Sequence, residues 1–219
     1  MKFRFTIGAK IGLGFGVIVI LTFVSFLFTN LTIKSSKDKI LHVTDVVNPS
    51  LSALKDLDNL LNRSKLGIEH WSFMAKEADP EKNTLVQLIQ KDYPALKERI
   101  NQYSPKWNDD EQKSIKEILS STDDMITAYE GNIMNTLKVM EDYSDPVLYF
   151  PANEAREEAE ISYINIKNKL SKLIEKQNNN AKETSNEMLG SFDSLKNIVV
   201  WLGIILVLGS VLIATVTIR

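Results

Sequence analysis

The chain has 219 residues, 25% of them charged and 44% hydrophobic, with no cysteine and a formal net charge of −2 at pH 7. Without cysteine there is no disulfide framework, zinc knuckle or thiol nucleophile. The acidic balance argues against a nucleic-acid partner.

Lys2, Arg4 and Lys10 open the chain, and then nothing ionises from 11 to 33, up to Lys34. A helix needs about 20 such residues to cross roughly 30 Å of hydrocarbon, so this run is expected to span a membrane. A cleaved secretory signal has an apolar core of about 7–15 residues ending at a small-residue site. Here the run is longer and closes on Thr29-Asn30-Leu31-Thr32, which favours an uncleaved anchor. Gly8, Gly12 and Gly16 form two overlapping Gly-xxx-Gly spacings. They are a candidate packing face, against a partner or against a second span.

Beyond Lys34, Ile40, Val43, Val47, Leu51, Leu54, Leu57, Leu61, Ile68, Trp71 and Ala75 recur at mainly helical spacing, with Pro49 as the one kink. Asp79-Pro80 joins an N-cap residue to proline at the first helical position. After the Ser104-Pro105 break, Asn108-Asp109-Asp110-Glu111 reads as a capping box. Asp145-Pro146 and Pro151 break the chain again. Helices are therefore expected over 34–78, 81–103, 109–143 and 152–196, with no strand.

The last of these carries Tyr163, Ile166, Leu170, Leu173, Gln177, Ala181, Thr184, Met188, Phe192, Leu195 and Val199 in steps of three and four. No proline follows Pro151, so this helix is expected to continue into a second uncharged run, 197–218, between Lys196 and Arg219. Trp201 suits the membrane interface at its outer end. Between the two runs lie all 28 acidic residues and 22 of the 26 basic ones, a net charge of −6 for 34–196. The expected fold is all-α. A cytoplasmic tail (1–10) and a first span (11–33) lead to an antiparallel up-down four-helix bundle (34–196), which is continuous with the second span (197–218).

Three features taken in order, Ile7-Gly8-Ala9-Lys10-Ile11-Gly12-Leu13-Gly14-Phe15-Gly16, the Asn48-Pro49-Ser50-Leu51 step, and a last helix fused to the second span, resemble a known family. It is the four-helix-bundle sensor domain of methyl-accepting chemotaxis type, found in bacterial transmembrane chemoreceptors and sensor kinases. The resemblance implies a two-pass protein of the bacterial cytoplasmic membrane, with 34–196 periplasmic or extracellular. It implies a homodimer in contact with lipid, and a small-molecule or protein ligand outside. It also implies a HAMP linker and a cytoplasmic output domain beyond Arg219, so the chain is expected to be a truncated receptor. The expected role is a sensory input module that passes a ligand- or partner-induced helix shift across the membrane. The alternative is a membrane adaptor that transmits nothing.

Aspartate-sensing members of the family use several arginines on the first helix, whereas this chain offers Arg63 with Lys65 nearby. Arg63 is on that ground one candidate ligand-binding residue, and Trp71, Tyr149 and Phe150 are the others, because Trp71, Phe73, Met74, Tyr143, Tyr149 and Phe150 should gather at one end of the bundle. Arg156 is the other lone guanidinium. Glu154, Glu157, Glu158 and Glu160 read as a solvated helix face, and Asn178, Asn179 and Asn180 lower helix propensity. His42 and His70 lie 28 residues apart, roughly 42 Å along a helix, so they share no metal. There is no Gly-Lys-Ser/Thr phosphate loop, Gly-x-Ser-x-Gly elbow or His-Glu-x-x-His motif. Neither an enzyme activity nor a cofactor is expected.

Overall fold

The computed structural model describes residues 6–74 and 79–218, and no strand occurs among them. The helices are α1 (Ile7–His42), α2 (Asn48–Phe73), α3 (Pro80–Gln87), α4 (Tyr93–Tyr103), α5 (Asp109–Ala128) and α6 (Pro146–Ile218). The protein is all-α. Expectations that fall on Lys2, Arg4, Ala75, Ala78 and Arg219 lie outside the described residues. The chain forms two compact units, one of Thr44–Ala181 and one of Met1–Val43 with Lys182–Arg219.

Two prolines that should interrupt helices are absorbed by the same device. Proline has no N–H for the carbonyl four residues earlier, and its ring crowds that carbonyl. A five-residue π-helical turn, Val43–Val47, precedes Pro49, and another, Leu88–Asp92, precedes Pro94. Each proline then enters as the second residue of α2 or α4. The wider turn makes room for the ring, and the chain continues as helix. Within α2, the Ser50 hydroxyl donates to Val46 O and accepts from the Trp107 indole. This fastens the turn after α4 to the start of α2.

The core of Thr44–Ala181 is apolar and contributed by every helix in it. Leu54, Leu57, Leu61 and Ile68 of α2 are buried with Leu85 of α3, Ile100 of α4, Ile115 and Ile118 of α5, and Ile166 and Leu170 of α6. Each fully buried side chain of this size contributes roughly 1.5–3 kcal/mol. Polar contacts flank the core and fix which turns face each other. Asp58 pairs with Lys167, the Tyr163 hydroxyl donates to Asn62 Oδ1 (2.6 Å), and Lys65 pairs with Glu160 (2.8 Å). Along this series the numbers rise on α2 as they fall on α6. The Glu160 carboxylate, which accepts a hydrogen bond from Lys65, raises the lysine pKa.

The expected cap at Asn108 forms, its side chain accepting from Glu111 N (3.0 Å), but Glu111 does not close the box. The Glu111 carboxylate accepts instead from Gln177 Nε2 (2.9 Å) and Asn180 Nδ2 (3.0 Å). The first turn of α5 favours an anion there, and Asn180 is tied to it rather than facing water.

Three boundaries differ from expectation. The helix expected to reach residue 78 ends at Phe73, because Met74 is extended. The third helix does not reach residue 143: α5 gives way to a π-helical turn, Tyr129–Met134, and then a 3₁₀ turn, Met140–Ser144. Asp142 starts that second turn by accepting from the backbone N–H groups of Lys138 and Val139 (2.8 Å each). Those two bonds hold its carboxyl below the usual range. The last helix begins at Pro146 rather than after Pro151, because Asp145 Oδ1 accepts from Val147 N (2.9 Å) and caps it. Pro151 is tolerated in the second turn of α6, where the carbonyl that loses its donor belongs to the exposed Val147.

In the other unit α1 meets the C-terminal part of α6. Lys39 pairs with Glu187 (2.7 Å). A Cβ added at Gly14 would fall 2.6 Å from Ile213 Cδ1, so glycine is what lets the two helices close here. A Cβ at Gly8, Gly12 or Gly16 would meet nothing within 4 Å. Gly14 is two residues from Gly12 and from Gly16, about 200° around the helix. The Gly-xxx-Gly face therefore points away from Ile213. Phe15, Phe23, Phe26, Val207, Leu208 and Leu212 are exposed, and by length and composition α1 and α6 each suffice to cross a membrane.

Replacing Leu61, fully buried in α2, by alanine is expected to lower the unfolding free energy by about 2–5 kcal/mol. Replacing Asp56, whose ion pair with Arg99 is half exposed, is expected to cost less than about 1 kcal/mol. Chemical denaturation of both variants checks the contrast, and equal losses would contradict it.

Candidate functional site

Of the four candidate ligand residues, Arg63 lines a groove to which Trp71, Tyr149 and Phe150 do not contribute. Trp71, near the end of α2, is half-buried, and its indole N–H donates to Leu137 O (2.9 Å). Tyr149 packs against the core and meets Phe150 edge-on, with ring centroids 6.2 Å apart. Phe150 itself is exposed. Phe73 and Met74 are also exposed, and the Arg156 guanidinium lies 5.4 Å from the Phe73 ring centre. Arg63 is two turns before Trp71 on α2, roughly 12 Å along the helix.

Trp71 and Tyr143 do come together, around a residue the spacing gave no reason to single out. Lys82 is only 5% exposed. Its ammonium lies 5.0 Å from the Trp71 ring centre and 5.1 Å from that of Tyr143. It donates to the Tyr143 hydroxyl (2.9 Å), which donates in turn to Trp71 O (2.6 Å). This is the arrangement by which proteins recognise alkylammonium ions: two π faces supply attraction, and hydrogen-bond acceptors take the N–H groups. The cage holds the chain's own lysine. Beside it His70 Nε2 and Asp79 Oδ2 are 2.7 Å apart, and His70 Nδ1 is 3.6 Å from Glu81 Oε2. Asp79 also caps α3 by accepting from Glu81 N (2.9 Å), the expected role of Asp79-Pro80.

Arg63 opens onto a groove of about 730 Å³ lined by Asp56, Asn59, Asn62, Asp92, Leu96 and Arg99. Arg99 is paired with Asp56. Arg63 has no ion-pair partner among the described residues. The groove can therefore offer a guanidinium to a small anion, with amide side chains beside it for orientation. It is wide, open and partly apolar, and no nucleophile–base pair lines it.

Two further polar centres went unforeseen. The Tyr93 hydroxyl, inside the core, donates to Asp123 Oδ1 (2.7 Å), whose other oxygen accepts from Lys97 (2.6 Å). Trp107 is buried and bonded to Ser50. Proximity to a proline break was the one signal for Trp107, and nothing in the spacing of Tyr93 marked it as different from a core residue.

Comparison with known protein families, with curated proteins and with solved structures finds no match.

Burial, reinforced by the Asp123 carboxylate, raises the Tyr93 phenol, and burial likewise raises Tyr129. Burial together with the nearby Asp142 charge pushes Tyr143 up to about 12. An unfolded tyrosine ionises near pH 10. The stability these three lend is thus complete below about pH 10 and is lost as the pH rises through about 12 at Tyr143 and higher at the other two. In a spectrophotometric titration, Tyr93, Tyr129 and Tyr143 should therefore ionise only above pH 10, as the domain unfolds. Ionisation of these three near pH 10 without unfolding would contradict the packing described.

Proposed function

We propose that the chain is the sensory input module of a bacterial transmembrane receptor, with the charge-free runs of α1 and α6 as its two membrane spans. Thr44–Ala181 is, on this reading, an up-down four-helix bundle outside the cytoplasmic membrane. A ligand or partner shifts α6 along α2, and the shift passes through the second span to a cytoplasmic output domain such as a kinase, phosphatase or methyl-accepting coiled coil.

The observation that carries this reading is that one helix, α6, holds both kinds of surface. Glu160, Tyr163 and Lys167 face α2, and 197–218 is the longest uncharged stretch of its C-terminal half. Contacts running in opposite numerical directions support the bundle topology: Asp58 and Lys65 with α6, Glu111 and Glu117 with α6, Gln90 and Lys97 with the α5 region. The pairs between α2 and α6 are partly exposed and individually worth about 0–1 kcal/mol. Exchanging them for shifted ones costs little, so a modest binding energy can move the equilibrium. The Arg63 groove is the reading's ligand site, and its chemistry suits a small carboxylate. The open Gly8, Gly12 and Gly16 face suits a second copy of α1 in a receptor dimer.

The chain has no cysteine, so introduced ones report without background. With Asp58→Cys and Lys167→Cys installed together, disulfide formation in membranes should change rate on adding one or more members of a panel of amino acids and dicarboxylates. The change should vanish with Arg63→Ala. A rate that no member of the panel alters, or an alteration that survives Arg63→Ala, would overturn the reading.

A further inference from the structure

The buried stripe of α6 in Thr44–Ala181 includes Ala152, Ala159 and Ile166. About half a turn away, Val147, Phe150, Glu154, Glu157, Glu158, Ile161 and Ile164 share the opposite, outward face. Val147 is 77% exposed, Phe150 68%, Ile161 63% and Ile164 48%. Single exposed apolar residues are ordinary, but four aligned on one helix face with a common charged centre form a contact surface. It runs 18 residues, about 26 Å at 1.5 Å per step.

The three carboxylates lie between the two apolar pairs. Glu157 has Arg156 at 3.4 Å and accepts from Asn153 Nδ2 at 3.3 Å. Glu154 and Glu158 have no ion-pair partner among the described residues. A second copy of the chain does not fit this face. Laid antiparallel it would match Val147 with Ile164 and Phe150 with Ile161, but it would also set Glu154 of each copy against Glu157 of the other. Like charges in that position repel and oppose association. A bilayer surface is disfavoured for the same reason. The pattern calls for the inverse charge in the middle and apolar residues at both ends.

We propose that this face docks a cationic amphipathic helix, one whose apolar residues flank a central group of lysines or arginines. Phe150 and Ile161 act as the apolar anchors, and Glu154 and Glu158 select the cationic centre and speed its approach. The surface is separate from the Arg63 groove, so the inference does not rest on the small-molecule reading.

The test uses the full chain in phosphatidylcholine nanodiscs and a fluorescent synthetic helix of about 18 residues, a length that matches the face, with leucines at both ends and lysines in the middle. Anisotropy should show saturable binding beyond that to empty nanodiscs. It should weaken tenfold or more with Glu154→Gln/Glu158→Gln, weaken similarly with Phe150→Ser/Ile161→Ser, and disappear when the peptide's lysines become glutamates. All four positions are exposed, and circular dichroism confirms that the variants fold. Binding unchanged in either double variant overturns the proposal, as does self-crosslinking of a Phe150→Cys chain at neutral pH.

Discussion

The apolar stripe of α2 is the surface on which the rest of Thr44–Ala181 is assembled. Leu54, Leu57, Leu61 and Ile68 are all essentially without solvent contact, and α3, α4, α5 and α6 each bring apolar residues to that core. Without a cysteine, and so without a disulfide to staple the chain, this burial is the dominant stabilising term. The polar contacts around it are mostly partly exposed and individually weak, so their role is register rather than strength.

Features set by local chemistry were legible in the sequence. Asp79-Pro80 and Asn108 start helices where they should, because an N-cap side chain needs only its own next few N–H groups. The stripes of α2 and α6 were legible within the core, where period and burial coincide. The π-helical turns before Pro49 and Pro94 were not, since a widened turn leaves no compositional mark and a proline in a helical pattern reads as a kink or a stop. The end of α5 was missed because Asp142 reaches back to two backbone N–H groups, and Pro151 misled because a helix already capped by Asp145 can carry it.

The candidate site was less legible for a reason of the same kind. Lys82 reads as a solvated surface charge, and only the meeting of Trp71 with Tyr143, 72 residues apart in sequence, turns it into the centre of a cage. Glu111 likewise looks like half of a local box, yet its carboxylate is spent on α6. Long-range partners decide both cases, and one-dimensional spacing does not encode them. Arg63 was singled out by type, and it does open onto a groove.

The two charge-free runs are proposed to cross the membrane and to set Thr44–Ala181 outside the cytoplasmic membrane. Cysteine labelling in intact bacteria tests this most directly, because every introduced thiol is the only one present. With a membrane-impermeant maleimide, Lys116→Cys on the exposed side of α5 should label in intact cells, and Thr6→Cys should label only after lysis. Labelling of both sites in intact cells, or of Lys116→Cys only after lysis, would contradict the account.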